Sequence, residues 1–149
     1  MPKESRKAVV GIVAVSHCEL AKEMLRVAEL IVGSLQACKA ISFEPNQPVE
    51  GMIKQMQEAI KEVDQGRGVL ILTDLFGGTP ANISLSFLQS RVEVVCGMNL
   101  PMLIKLAGSR GELSLGELAL VVKEYGQRHI SLASEVLARP LKPASVNVS

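Results

Sequence analysis

The sequence predicts an α/β fold, in which an open parallel β-sheet carries helices on both of its faces. Two runs of apolar residues, at 8–15 and 68–73, are typical of parallel strands that are buried on both sides. Two amphipathic stretches, at 19–32 and 49–63, lie between these runs and have the 3.6-residue period of helices. Because the crossovers between parallel strands cover the sheet, this alternation predicts one doubly wound domain.

The predicted elements alternate along the chain, and several of them end at residues that stop helices. Gly33, Gly66 and Gly108 each follow a helical stretch and can take the left-handed backbone that ends one. Lys39 and Ser42 interrupt the second strand, which favours a position at the sheet edge. In order, we expect strands at 8–15, 37–43, 68–73 and 92–96, and helices at 19–32, 49–63, 80–89, 100–107 and 115–125.

Capping residues mark where three of the later helices begin. Thr79 followed by Pro80 is typical of an N-cap with proline in the first helical position. Asn99 is placed to cap the next helix, and Ser114 with Glu117 forms a capping box for the last one. The starts of these helices are therefore well specified.

The C-terminal part of the chain is less regular than the rest. Residues 127–137 are compatible with either a helix or a strand, and residues 139–149 combine two prolines with small polar side chains. We see no internal repeat and no linker before residue 139. We therefore expect a domain at 1–138 and a mobile tail at 139–149.

Composition limits the classes of function that this chain can serve. Hydrophobic residues make up 48% of the 149 residues and charged residues 21%, which suffices for a packed core. The net charge is +1 and the basic residues are scattered, so we expect no nucleic-acid partner. Aromatic residues are 3% with no Trp, which leaves few platforms for stacking a base, a sugar ring or a flavin.

The N-terminal and cysteine patterns predict a reduced, cytoplasmic protein that does not insert into the membrane. The apolar N-terminal run breaks at residues 16–19 without a cleavage site, and no later stretch is long enough to span a bilayer. The three cysteines, Cys18, Cys38 and Cys96, lack C-x-x-C spacing and cannot all pair with one another. We therefore expect no disulfide framework and no structural zinc site, and we predict no metal ligands and no cofactor.

Two polar residues at strand ends form the candidate catalytic pair. His17 follows the first strand and Asp74 ends the third, and in a 2-1-3-4 sheet these strands are neighbours about 5 Å apart. A carboxylate bonded to one imidazole nitrogen fixes the tautomer, so that the other nitrogen keeps the lone pair of a nucleophile. The carboxylate also stabilises the cation that forms on attack. The sequence therefore predicts that His17 and Asp74 act together.

Groups that suit an anion surround this predicted pair. The helix after His17 directs its N-terminal amides toward the histidine. Gly77, Gly78 and the hydroxyl of Thr79 add donors at the head of another helix. Together these features indicate a phosphohistidine site.

Simpler interpretations exist for each of these features. A single histidine at a strand end is often only a structural hydrogen-bonding residue, and the segment DLFGGTP could form no more than a turn and a helix cap. His129 lies in the irregular C-terminal segment without an evident acidic partner. Cys18 is an alternative nucleophile, but it adjoins His17 and has no other obvious base.

Three segments of the sequence together resemble the IIA component of the mannose-type family of the bacterial phosphoenolpyruvate-dependent sugar phosphotransferase system. They read GIVAVSHCELA, GVLILTDLFGGTPANIS and VVCGMNLPMLIKL, in the family's order and separation. The resemblance is clear over residues 9–107 and looser over the helices that follow. Each segment alone is a weak signal, whereas the three in order are specific.

The resemblance implies a fold, a reaction and partners. The fold is a four-stranded parallel sheet in 2-1-3-4 order, with room for a fifth, antiparallel strand exchanged between the subunits of a homodimer. In the family, the histidine that matches His17 takes phosphate from the carrier protein HPr. It then passes the phosphate to a IIB component, which phosphorylates the incoming sugar. The resemblance thus implies a phosphotransferase with a phosphohistidine intermediate.

The family's other site residues also have counterparts in this chain. Asp74 matches the aspartate that bonds the second nitrogen of the histidine. Gly77, Gly78 and Thr79 match the loop of glycines and hydroxyl that binds the phosphoryl group. The resemblance and the strand-end argument therefore select the same residues.

The chain departs from the family's pattern at two places. The usual Thr-His-Gly is here Ser16-His17-Cys18, so Ser16 keeps a hydroxyl that we expect among the phosphoryl-binding groups, while Cys18 replaces a glycine. Ala81 stands where an aromatic residue is common. No IIB domain follows the tail, so we expect the acceptor to be a separate polypeptide, and the sugar is left open.

Two other classes of function are alternatives to the phosphocarrier. One is a regulatory module whose phosphorylation at His17 is read by a partner protein and does not feed transport. The other is a receiver-like domain phosphorylated on Asp74. A receiver needs an acidic pair after the first strand to hold magnesium, and Ser16 and His17 stand there instead.

Overall fold

A computed structural model describes residues 7–138 and contains four strands and six helices in that range. The strands are β1 (Gly11–His17), β2 (Cys38–Phe43), β3 (Val69–Thr73) and β4 (Val92–Cys96). The helices are α1 (Leu20–Val32), α2 (Val49–Val63), α3 (Thr79–Leu85), α4 (Leu100–Ser109), α5 (Leu115–Arg128) and α6 (Ala133–Ala138). The predicted α/β fold is confirmed, and α2 and β4 have the predicted bounds.

The four strands form one parallel sheet in the order β2-β1-β3-β4, as the resemblance implied. β2 lies at an edge, as its interrupted apolar pattern predicted. β1 and β3 lie side by side at the centre, with Val15 opposite Thr73. The C-terminal ends of the two central strands therefore meet, which brings His17 and Asp74 to one edge of the sheet.

Two apolar layers hold the helices against the sheet, one on each face. Along β1, Ile12 and Ala14 belong to one layer and Val13 and Val15 to the other, because successive side chains of a strand point to opposite faces. Residues of α1, α4 and α5 complete the first layer, and residues of α2 and α3 the second. Each fully buried Val or Leu stabilises the fold by roughly 1.5–3 kcal/mol, so the positions of the strand ends are strongly specified.

Arg110 ties together the opposite, N-terminal end of the sheet. The residue is 3% exposed, and its guanidinium donates hydrogen bonds to the main-chain oxygens of Val10 and Ala37 and to Cys38 Sγ. The main-chain N–H of Val10 in turn donates to Arg110 O at 3.1 Å. Because this bond lies outside the strand ladder, β1 begins at Gly11, later than the predicted residue 8.

Several predicted helix ends are confirmed. Asn99 caps α4 by accepting a hydrogen bond from the N–H of Met102 at 3.1 Å. Ser114 and Glu117 form the predicted capping box at the start of α5. Gly33 follows the last residue of α1, as predicted, and has a positive φ of 93°, which favours glycine.

The prediction for α3 is wrong at both ends. Gly78, and not Thr79, is the N-cap, so Thr79 is the first helical residue. The helix ends at Leu85 instead of residue 89, because turn hydrogen bonds such as that from Phe87 N–H to Ser84 O replace helical ones.

The predicted ends of α4 and α5 are also too early. α4 continues past Gly108 to Ser109, and the N–H of Arg110 still donates to Leu106 O. The buried anchoring of Arg110 outweighs the cost of about 1 kcal/mol that a glycine brings to a helix. α5 runs on to Arg128.

The segment after α5 forms a short helix and not a strand. Its residues 133–138 make up α6, so the sheet within residues 7–138 has no fifth strand. Apolar side chains in this segment are exposed, namely Ile130, Leu132, Val136 and Leu137. Residues 139–149, predicted as a mobile tail, lie outside the described residues. None of the helices between residues 7 and 138 has the length and apolar character needed to cross a bilayer.

Candidate active site

His17 and Asp74 meet at the C-terminal edge of the sheet through two hydrogen bonds to the same oxygen. Asp74 Oδ2 lies 2.7 Å from His17 Nδ1 and 2.9 Å from the main-chain nitrogen of His17. Because an ionised carboxylate only accepts, Nδ1 carries the proton and Nε2 keeps its lone pair. The side chain of His17 is 49% exposed, so this lone pair is presented at the surface.

The carboxyl group of Asp74 is held as an anion. Its side chain is 6% exposed, and burial on its own raises the pKa. The bonds from the His17 main chain and ring, the attraction of the imidazole and the bond from Leu75 N–H together outweigh burial and lower the pKa below its usual value. Asp74 is therefore ionised at neutral pH and can balance a positive charge on His17.

Gly78 lies directly beside the ring of His17. A β-carbon added to Gly78 would be 3.3 Å from His17 Nε2, so the loop approaches the reactive nitrogen closely. Gly77 has a φ of 93°, which lets the loop turn there before α3 begins. The structure thus places Gly78 beside the ring of His17, and Thr79 lines the same groove as His17; that these residues bind a phosphoryl group stays a prediction.

Ser16 is placed differently from the expectation that it contacts the phosphoryl group. The residue is fully buried, and its Oγ accepts a hydrogen bond from Ala21 N–H at 2.7 Å. Its hydroxyl donates to Cys18 O at 3.2 Å. The hydroxyl therefore uses its proton on Cys18 O and accepts from Ala21 N–H. These two bonds position the loop between His17 and α1, so the hydroxyl proton is not available to a group at Nε2. This use of a strand residue to hold a helix start five residues later has no simple signature in the sequence.

Cys18 is exposed and has a left-handed backbone, with a φ of 51°. This conformation disfavours residues other than glycine, which gives a physical reason for the glycine usual in the family. The main-chain N–H of Cys18 donates to Phe43 O at 3.0 Å and so continues the pairing of β1 with β2. Its thiol has no hydrogen-bond partner among residues 7–138, so the structure shows no base that would activate it.

His129 serves its own helix. Its ring stacks on Tyr125 with centroids 3.7 Å apart, and Nδ1 lies 2.8 Å from Tyr125 O. No acidic side chain within the described residues pairs with it. These contacts with Tyr125 fit a structural role for His129 at the end of α5.

A shallow groove borders His17 and was not foreseen from the sequence. We call it the His17 groove; its volume is about 170 Å³ and its walls are mostly apolar. It is lined by His17, Cys18, Phe43, Glu44, Pro45, Met52, Thr79 and Pro80. The residues come from four separate segments, so only the folded chain reveals their proximity.

This parallel α/β domain, with a surface histidine held by an aspartate at the strand ends, is similar to components of the sugar phosphotransferase system. Residues 11–123 match the family model described as PTS system fructose IIA component, where PTS denotes the phosphotransferase system. The chain belongs to this family, which includes mannose, fructose and sorbose IIA components.

Curated relatives support this assignment. The sorbose-specific EIIA component of Lacticaseibacillus casei is 33% identical over 133 residues, which cover 88% of this chain and 96% of that protein. The IIA component YadI of Escherichia coli K12, described as a phosphotransferase enzyme, is 30% identical over 83% of this chain and 86% of its own length. The mannose-specific EIIAB component of the same strain is 28% identical over 91% of this chain, but the match spans only 42% of that longer protein.

Solved structures show the same architecture. A PTS IIA protein associated with the fucose utilization operon of Streptococcus pneumoniae has a TM-score of 0.78 at 26% identity, over 89% of this chain and 99% of that one. The mannose/sorbose-specific IIA subunit of Enterococcus faecalis has a TM-score of 0.75 at 28% identity, over 83% and 94%. The fold and the family assignment therefore agree.

Proposed function

We propose that this chain is a phosphocarrier, in which His17 Nε2 accepts a phosphoryl group from phosphorylated HPr and passes it to a IIB component. The observation that supports this most directly is the 2.7 Å contact between His17 Nδ1 and Asp74 Oδ2. It leaves Nε2 unprotonated and half-exposed, as a nucleophile that serves two successive protein partners must be.

The transfer step follows from this geometry. The lone pair of Nε2 forms a bond to the phosphorus of the donor phosphohistidine while the donor's nitrogen–phosphorus bond breaks. The electron pair of the broken bond returns to the donor imidazole, which becomes neutral. The positive charge that develops on the His17 ring is stabilised by ionised Asp74, and transfer to the IIB component reverses the roles.

The loop before α3 supports the moving phosphoryl group. Phosphoryl transfer depends mostly on positioning and on charge stabilisation, since the group passes through a loose transition state. Gly78 lies beside Nε2, and the Thr79 hydroxyl and the main-chain amides that open α3 adjoin it in the chain. We propose that they orient the phosphoryl oxygens during both transfers.

Labelling with radioactive phosphoenolpyruvate, enzyme I and HPr tests the proposal. Wild type should take up one acid-labile phosphoryl group per chain, and His17→Ala should take up none. Asp74→Ala should be labelled more slowly because the ring loses its fixed tautomer and its counter-charge. If wild type stays unlabelled while HPr is fully charged, the phosphocarrier function is wrong. If Asp74→Ala matches wild type in rate and extent, the orienting role is wrong.

The regulatory alternative is separated by the second half of the same experiment. A carrier should lose its label when purified IIB component is added. Label that stays on His17, together with a changed affinity for another protein, would favour regulation over transport.

We also propose that the protein is a homodimer. The exposed apolar side chains beyond α5 support this, since Ile130 is 77% and Leu137 is 83% exposed in the single chain. Exchange of a strand between subunits stays a prediction. Sedimentation at micromolar concentration should give twice the monomer mass, and a monomer would contradict the proposal.

A further inference from the structure

We infer that the His17 groove receives an apolar side chain of the phosphohistidine-bearing donor protein, and that Glu44 at its rim pairs with a basic side chain beside it. The inference rests on the proposed phosphocarrier function. It adds the contacts by which this chain selects its donor.

The shape of the groove suits a side chain more than a small molecule. Its volume of about 170 Å³ is well below the roughly 300–1,000 Å³ typical of small-molecule sites. Phe43, Met52 and Pro80 are buried residues that line the groove, and Pro45 is an exposed wall. An apolar group inserted against these side chains would be removed from water.

The position of the groove requires a protein to cover it. Reacting atoms must approach within about 3–3.5 Å for transfer, so the donor's surface around its phosphohistidine must touch the surface around His17. The groove shares His17 and Thr79 with the site itself. A donor that reaches Nε2 therefore also lies over the groove.

The negative charge of Glu44 indicates that the donor protein places a basic side chain beside it. Glu44 is exposed and lies in a turn, in which Gln47 N–H donates a hydrogen bond to Glu44 O. No cation within residues 7–138 forms a salt bridge with the Glu44 carboxylate. By contrast, Glu19 pairs with Lys22 at 3.6 Å. An unneutralised carboxylate repels an incoming phosphoryl dianion, so a donor that binds well must bring a positive charge to offset it.

The test compares two charge reversals with two phosphoryl donors. Glu44→Lys should lower kcat/KM for phosphorylation by phospho-HPr roughly fivefold at low salt, and the difference from wild type should shrink as salt is added. Glu58→Lys is the matched control: Glu58 is also exposed and unpaired within the described residues, but it does not line the groove. Its kcat/KM should stay near that of wild type.

A small donor separates this inference from the proposed function. Phosphoramidate can phosphorylate histidine without a protein surface, and it brings a phosphoryl anion without a basic side chain. Glu44→Lys should therefore be labelled by phosphoramidate at least as fast as wild type, and Glu58→Lys at the rate of wild type. Absence of labelling at His17 with either donor would overturn the proposed function itself. Normal phosphoramidate labelling with unchanged or faster phospho-HPr transfer in Glu44→Lys would overturn the pairing of Glu44.

A second variant tests the apolar half of the inference. Pro45→Gln makes one wall of the groove polar and should raise KM for phospho-HPr about threefold at every salt concentration, because burial of apolar surface is not screened. Unchanged KM in Pro45→Gln would overturn the insertion of an apolar side chain. Circular dichroism and phosphoramidate labelling check that both groove variants keep the fold and the reactive histidine.

Discussion

Gly78 lies so close to His17 that a β-carbon on it would stand 2.8 Å from Cε1 of the imidazole. That distance is shorter than van der Waals contact, so any larger residue must push the ring aside. The ring is held by Asp74 at 2.7 Å, and a displaced ring would lengthen that hydrogen bond. The glycine is therefore a spatial requirement of the site.

Gly78→Ala should impair transfer while leaving the fold intact. The φ of Gly78 is −90°, which alanine adopts without strain, so the cost falls on the position of the ring. We expect the rate of phosphorylation by phospho-HPr to fall roughly tenfold to a hundredfold, since small misplacements of a reacting group are costly. Gly108→Ala is the control, because nothing lies within 4 Å of a β-carbon there. Equal rates for the two variants would show that the ring has room to move.

Ser16→Ala should lower the free energy of unfolding by about 1–2 kcal/mol, because the N–H of Ala21 and the oxygen of Cys18 lose their partner. Urea unfolding measures this, and Ser42→Ala is the control. Ser42 pairs with Ser16 in the sheet, and its hydroxyl has no hydrogen-bond partner among the described residues. The extent of labelling should not change in Ser16→Ala. A folded variant that no longer takes up label would instead place the Ser16 hydroxyl on the phosphoryl group.

Cys18→Gly should stabilise the protein. Glycine removes the steric cost of the left-handed backbone at φ 51° and adds some entropy to the unfolded chain, for a net gain of roughly 0.5–1 kcal/mol. Ala37 also has a positive φ, of 50°, and lies away from His17 in the sequence. Ala37→Gly should therefore raise the free energy of unfolding by a similar amount. Urea midpoints that fall in both variants would contradict the assigned strain.

Stability in acid should depend on Asp74. Its pKa is lower in the folded protein than in the unfolded chain, so its contribution is complete above the unfolded value and is lost as pH falls through the folded value. The gap in unfolding free energy between wild type and Asp74→Asn should therefore shrink as pH falls below about 4. Urea unfolding across this range measures the gap, and a gap that widens in acid would contradict the lowered pKa. Any pH dependence of the unfolding free energy that remains in Asp74→Asn comes from other carboxylates. One of these is Asp64, whose pKa is lowered by the hydrogen bond from Arg91.

The order of elements and the location of the site were predictable because both follow from strong, local signals. The apolar runs that form β1 and β3 are continuous, and the polar residues His17 and Asp74 break them at the point where parallel strands end. The side-chain bond between the two residues was expected on that basis, and the structure contains it.

The features that the sequence did not disclose depend on tertiary contacts. The end of α4 was misplaced because Gly108 looked like a stop, whereas buried Arg110 holds the helix beyond it. The role of Ser16 depends on the direction in which α1 leaves the strand. The segment after α5 stayed open between helix and strand because its apolar residues, such as Ile130, are not buried against the rest of the chain.

The half-exposed setting of His17 bears on how long a phosphoryl group could stay there. Closed active sites keep water away from reactive intermediates, whereas an open sheet edge admits water as freely as it admits a protein. In the proposed carrier, the lifetime of the charged form is therefore set by a race between hydrolysis and the next recipient. In such a protein, the fraction of chains that carry a phosphoryl group follows the current supply of donor and falls soon after that supply falls.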